Sequence, residues 1–127
     1  MGQILVLEDY PPLRRVLAVT LQRAGCQVAL AQSACEALLV LHQYACDALV
    51  LDMDSASRES WRVLHALNVT HFAPPVVALL SLSSGEQTEL EAFGVHVILR
   101  KPVSRDALLK GVTVALWSTG KTPLPPL

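Results

Sequence analysis

The chain is predicted to fold as an α/β domain: a five-stranded parallel sheet with helices on both faces. Three observations predict it. Short, largely apolar runs (Ile4–Leu7, Ala48–Leu51, Val76–Leu80 and Val95–Leu99) recur along the chain, and most lack the polar alternation of a strand with one wet face. Between them lie stretches with apolar residues at helical spacing. Strands that alternate with helices through short loops must run parallel, with right-handed crossovers that put helices on either side.

The elements follow in order. Ile4–Leu7 is the first strand and ends in Glu8-Asp9. Pro11 and Pro12 suit the first turn of a helix, where a missing N–H costs nothing. Leu13, Val16, Leu17, Leu21 and Ala24 form its apolar stripe and Gly25 closes it. Cys26–Ala31 includes Gln27 and reads as an edge strand. Ser33 and Glu36 have capping-box spacing and open a helix with Ala37, Leu38 and Leu41 inward. Ala48–Asp52 is the central strand. Trp61, Leu64 and Leu67 mark a third helix after a polar loop at Ser55–Ser57. Pro74-Pro75 precedes the fourth strand, Val76–Leu80. Ser83 and Glu86 offer a second capping box, for a short helix that ends before Gly94. Val95–Leu99 is the fifth strand, and Ser104 caps a last helix built on Leu108, Leu109, Val112 and Leu116. The domain covers residues 1–118, and 119–127 form a proline-rich tail expected to be disordered.

The totals narrow the function. At 127 residues the chain makes one domain. Its 52% apolar content suits strands buried on both faces, and a net charge of −1 argues against a nucleic-acid surface. No apolar run is long enough to span a membrane and no N-terminal signal pattern is present. Cys26, Cys35 and Cys46 are odd in number and form no C-x-x-C pair, so they read as buried or half-buried thiols in a reducing cytoplasm. His42, His65, His71 and His96 share no ligand spacing, and Trp61 and Trp117 read as packing residues.

The first and third strands both end in carboxylates. If they are neighbours, Glu8, Asp9 and Asp52 converge at the sheet edge where open α/β sheets bind ligands. Such a cluster calls for a hard divalent cation with oxygen ligands, most naturally Mg²⁺. A carboxylate beside Mg²⁺ can act as a nucleophile towards phosphorus, with the ion and a lysine neutralising charge on the phosphoryl group. Lys101, past the fifth strand, lies on the same edge, and Ser81, past the fourth, offers a hydroxyl.

With these residues the chain resembles the receiver domain of two-component response regulators over about Gln3–Leu116. The resemblance rests on Glu8-Asp9, the strand-end Asp52, Lys101-Pro102, and Gly94 seven residues before Lys101. It implies the strand order 2-1-3-4-5. It also implies that Asp52 accepts a phosphoryl group from a phosphohistidine on a sensor histidine kinase or histidine phosphotransfer protein. Asp9, Asp52 and the backbone carbonyl of Asp54 would bind Mg²⁺ directly and Glu8 through water, while Lys101, across a cis bond to Pro102, would pair with the phosphoryl group. The Asp54 side chain itself is expected to face solvent.

The chain also departs from the family. Ala56 and Ser60 stand where most receivers have Pro and Gly, Leu82 where the family prefers a small residue, and Ile98 at the position of the switch aromatic. Leu80 and Ser81 compete by register for the family's Thr/Ser position, with Ser81 favoured. The fourth helix is expected to be trimmed.

The expected function is thus a stand-alone cytoplasmic phospho-acceptor, not an enzyme in its own right beyond self-phosphotransfer and autodephosphorylation. It would signal to a downstream protein, with a possible homodimer through the face of strands four and five. One alternative is a degenerate receiver that binds partners without phosphorylation. The other, a haloacid-dehalogenase-type phosphatase, is suggested by the D-x-D pattern of Asp52 and Asp54, but that family carries the motif on its first strand.

Overall fold

The computed structural model describes residues 2–54, 58–68, 73–81 and 85–118. Ala56, His71, Leu82, Ser83 and the 119–127 tail lie outside the described residues.

Ten elements alternate without interruption: β1 (Gln3–Leu7), α1 (Pro11–Arg23), β2 (Gln27–Ala31), α2 (Ala34–Gln43), β3 (Ala48–Asp52), α3 (Glu59–Leu67), β4 (Val76–Leu80), α4 (Gln87–Ala92), β5 (Val97–Arg100) and α5 (Arg105–Ser118). All pairings are parallel and the order is β2-β1-β3-β4-β5. The three central strands are almost wholly buried because each face is covered.

The pleat sends alternate side chains to two cores. Ile4, Val6, Val50, Val77 and Leu79 pack under α1 and α5. Leu5, Leu7, Leu49, Leu51 and Leu80 pack under α2 and α3, with Leu90 of α4. Gly111 allows α5 to lie close on β5, since a Cβ there would come 3.1 Å from Leu99 Cδ1.

Local chemistry sets the helix ends. Pro11 and Pro12 occupy the first positions of α1, and Gly25 leaves it at φ 95°. Ser33 Oγ accepts from Glu36 N at 3.2 Å, but the Glu36 carboxylate reaches back to Gln32 N, one residue beyond the position of a reciprocal capping box. Ser104 Oγ accepts from Ala107 N at 3.0 Å. Helix α4 has only six residues and no side-chain N-cap bond.

Several expected burials are corrected. Val16 is 60% exposed because it sits at the rim of a groove between α1 and the β5–α5 loop, not under the helix. In α2 only Ala34 and Ala37 are buried; Leu38 and Leu41 are half-buried, and Leu39 is 55% exposed because α2 covers the edge of the sheet. Trp61 is buried as expected, whereas Trp117 is 62% exposed at the end of α5. Cys26 is buried and Cys46 half-buried, but Cys35, in the first turn of α2, is exposed.

Leu49→Ala, at the centre of the sheet, should lower unfolding free energy by about 2–5 kcal/mol. Leu39→Ala, although drawn from an equally apolar run, should change it by less than about 0.5 kcal/mol. Urea denaturation of both variants measures the contrast.

Candidate functional site

Strand register builds the site. Leu7 pairs with Leu51 across β1 and β3, so the next residues, Glu8 and Asp52, stand side by side at the carboxyl edge. Asp52 in turn pairs with Leu79 of β4, and Leu80 with Arg100 of β5. The N–H of Lys101 donates to Leu80 O at 2.9 Å, which continues that ladder and aims the lysine back over the edge. The Lys101-Pro102 bond is cis.

Three charged side chains meet there. Lys101 Nζ lies 2.7 Å from Asp52 Oδ1 and 3.1 Å from Asp54 Oδ2. Asp52 Oδ1 also accepts from the Asp54 N–H at 3.0 Å. Asp54 is exposed, as expected from the sequence, and its carboxylate is also engaged: its other oxygen accepts from Ser81 N at 3.1 Å.

Glu8 is only 1% exposed. Its Oε1 accepts from Tyr10 N at 3.0 Å, while Oε2 is buried without a donor. Burial, reinforced by the hydrogen bond to Asp52 and by that residue's charge, pushes the Glu8 carboxyl up to about 8. Of the pair, Glu8 is therefore the group that favours its neutral form. Burial acts on Asp52 in the same direction, but the hydrogen bonds from Glu8, Lys101 and the Asp54 N–H outweigh it and hold that carboxyl below its ordinary value. For Lys101, burial works against the charge; its bonds to Asp52 and Asp54 prevail and hold the ammonium above the usual lysine range. The arrangement thus presents one ionised carboxylate, with an attached ammonium on one side and a proton donor on the other.

Asp9 is exposed, and it lines a small cavity with Glu8, Asp52, Gln32, Glu59 and Ser60. Among the described residues no three His, Cys, Asp or Glu side chains are drawn together tightly enough to hold an ion. Glu8 and Asp52 stand as a close pair, and Asp9 lines the same cavity.

Ser81 lies beyond β4 and is half-buried, whereas Leu80 is wholly buried in the core beneath α2 and α3. The Ser81 main chain is held twice: its N–H by Asp54, and its carbonyl by Arg100 Nη1 at 2.8 Å. Ile98 packs half-buried at the margin of the same core, and Ser60 is buried in the first turn of α3.

Glu59 and Arg100 were missed in the sequence. Glu59 follows the polar loop, and its only signal was its place in the first turn of the third helix. Arg100 ends β5 and carries no local sequence signal for its role. Its guanidinium bonds both Ser81 O and Gln87 Oε1, a contact between residues far apart in sequence.

Comparison with known proteins gives one family: the response regulator receiver domain description matches residues 4–113. The chain is 31% identical over 121 residues to the sensor histidine kinase RcsC of Salmonella typhi, which covers 94% of this chain and 13% of the kinase. It is 27% identical over 116 residues to the transcriptional regulatory protein GlrR of Escherichia coli, covering 91% of this chain and 26% of that protein. The chain thus spans only a small part of these relatives. Among solved structures, the chemotaxis response regulator CheY4 of Vibrio cholerae superposes with a TM-score of 0.81 at 26% identity, covering 91% of this chain and 99% of that one. The receiver domain of the Francisella response regulator 1452 superposes at 0.83 and 24% identity, covering 94% and 99%, which speaks for the fold.

A carboxyl whose folded value is raised gives a stability present at low pH and lost as pH rises, here from about 4.5 to about 8. Asp52, shifted the other way, acts only below its ordinary value of 3.8 and does not enter that window. With chelator present, stability should therefore fall between pH 5 and 8 by up to about 1.4 kcal/mol per unit. Glu8→Gln, whose amide can donate to Asp52 at every pH, should flatten the slope and be the more stable protein at pH 8. Parallel slopes in thermal melts would show that Glu8 does not keep the proton.

Proposed function

Because the chain belongs to the response regulator receiver domains of two-component systems, we propose that Asp52 accepts a phosphoryl group from a phosphohistidine. The donor would be a sensor histidine kinase or a histidine phosphotransfer protein, and the signal would pass on by contact with another protein. Receiver domains are generally non-enzymatic phospho-acceptors, and the family generally depends on Mg²⁺. One observation carries the reading for this chain: Asp52, held ionised, lies 2.7 Å from Lys101 beside the buried Glu8.

Mg²⁺ fits the donor set. Glu8 Oε2 is a buried oxygen without a donor, and the small cavity beside it is walled by the carboxylates of Asp9 and Asp52. Asp9, Asp52 and the Asp54 carbonyl would hold the ion, with Glu8 through water. When bound it supplies positive charge against the oxygens of the transferring phosphoryl group.

The remaining work falls to the chain. An Asp52 carboxylate oxygen attacks phosphorus. The new P–O bond forms as the P–N bond of the phosphohistidine breaks, and its electron pair stays on the leaving imidazole nitrogen. Lys101, already at the carboxylate, follows the charge onto a phosphoryl oxygen. The Ser81 hydroxyl, on the residue past the end of β4, would be a further donor to that group. The D-x-D phosphatase reading is not retained, since Asp52 ends the third strand of a receiver fold.

The donor approaches along α1 in this reading. An apolar groove of about 550 Å³ lined by Leu13, Val16, Leu17, Val103 and Leu108 opens beside Pro102 and Lys101, the residue that bonds Asp52. The relation to a sensor histidine kinase supports a kinase on the donor side.

A second reading, a phosphorylation-independent interaction module, is favoured by the departures from the family at Ser60, buried in the first turn of α3, and at Ile98. Intact mass after incubation with Mg²⁺ and acetyl phosphate separates the two. Wild type should gain one phosphoryl mass and Asp52→Asn none. No gain in wild type would give the second reading precedence, and labelling that persists in Asp52→Asn would refute the acceptor assignment. Lys101→Ala should slow labelling by at least about tenfold, the loss of one charge-assisted contact. Val16→Asp should leave labelling by acetyl phosphate unchanged and reduce transfer from a phosphorylated kinase domain.

A further inference from the structure

Helix α4 is poorly anchored by its own packing. It has six residues, a single buried side chain, Leu90, and no side-chain bond at its N-cap. A helix this short is unstable by itself, so its position depends on tertiary ties. Two arginines supply them at its first turn. Arg58, from the segment after β3, has the left-handed backbone φ of 56°, lies over the Trp61 ring at 5.0 Å, and approaches Glu86 at 3.7 Å. That pair is long and its arginine is exposed, so it is weak. Arg100, the last residue of β5, is partly buried, and its planar fork bonds two groups at once: Ser81 O at 2.8 Å and the side chain of Gln87, the first residue of α4.

The first of those groups is itself attached to the acidic site. Ser81 N donates to Asp54 Oδ1, Asp54 Oδ2 meets Lys101 Nζ, and Lys101 meets Asp52 Oδ1. A continuous polar chain therefore runs from Asp52 through Lys101, Asp54, Ser81 and Arg100 to Gln87. Asp54 is its branch point, since one oxygen holds the lysine and the other holds the peptide that Arg100 grips. A change that draws Lys101 away from Asp54 leaves that carboxylate without its cation and loosens its hold on Ser81. The Ser81 carbonyl then shifts, and Arg100 must either follow it or release Gln87.

From this geometry we infer that Arg100 is a latch coupling the Asp52–Lys101–Asp54 cluster to the start of α4. It acts at an edge of the sheet where Ile98 provides no hydroxyl to link with a serine. Its part in signalling rests on the phospho-acceptor reading above; the coupling itself does not. Arg100 touches no reacting atom and is a positioning residue.

Amide hydrogen exchange over Gln87–Phe93, by mass spectrometry, tests the coupling without phosphodonor in wild type, Asp54→Ala, Arg100→Ala and the double variant. Each single change should speed exchange about tenfold, and the double variant should be no faster than either, because both cut one chain. Effects that multiply, to about a hundredfold, would overturn the latch. Arg100→Lys should behave as Arg100→Ala, since an ammonium does not reproduce the two-point fork; full rescue by lysine counts against it.

With Mg²⁺ and acetyl phosphate, wild-type α4 should exchange faster, while Arg100→Ala should show no further change at an equal gain of phosphoryl mass. An equal response in both proteins would overturn the signalling role. Absence of the mass gain in wild type would remove the phospho-acceptor reading and that role together, and the four-protein comparison would then decide the coupling alone. Thermal melts of Arg100→Ala, expected within a few degrees of wild type, exclude general unfolding as the cause.

Discussion

Two carboxyl groups are forced together at the end of two buried strands, and the surrounding chemistry follows from that. The register of β1 on β3 leaves Glu8 and Asp52 adjacent at the carboxyl edge, with Glu8 almost wholly covered. Two charges so close cannot both persist in a low-dielectric setting without a cation. The protein meets this in two ways at once. Burial pushes the Glu8 carboxyl towards its neutral form, and Lys101 brings an ammonium to Asp52. The division of roles between the two acids, one protonated and one ionised, comes from their surroundings, since Glu8 has no donor to its second oxygen and Asp52 has Lys101 and the Asp54 N–H.

The fold makes this placement affordable by keeping the acids at the one edge where backbone and side-chain donors accumulate. Behind them the sheet is apolar on both faces, so the charged groups cannot relax inward. The successive parallel crossovers bring the ends of β1, β3, β4 and β5 to one rim, where residues 8, 52, 81 and 101 meet. Asp54 extends the cluster sideways, because its carboxylate serves both Lys101 and the peptide of Ser81. The cluster thus reaches Ser81 and, through Arg100, the first residue of α4, a helix with one buried side chain.

How legible was this in the sequence? Uninterrupted apolar runs gave the strands, since both faces of each central strand are covered. Ser33 and Ser104 announced helix starts that the structure bears out. Depth of burial was less legible. Leu38 and Val16 look like core residues in the sequence, yet Leu38 is only half-buried and Val16 stands exposed at the border of a groove. Periodicity shows which residues share a face; it does not show how far the neighbouring layer extends over that face.

For the site, the sequence by itself determined its members that carry charge: an acid at each of two strand ends and a lysine after the last strand, because strand-end positions in an alternating α/β chain fall on one edge. Tertiary structure decided their relations. Strand register made Glu8 and Asp52 a pair and left Asp9 at the cavity wall, and burial chose which of the pair keeps the proton. The side-chain directions at the edge made the exposed Asp54 the link between Lys101 and Ser81, and gave Arg100 a role with no local signature. The reason is physical. The identity of a titratable group is written in the chain, but its charge and partners depend on groups tens of residues away that only the folded sheet sets at bonding distance.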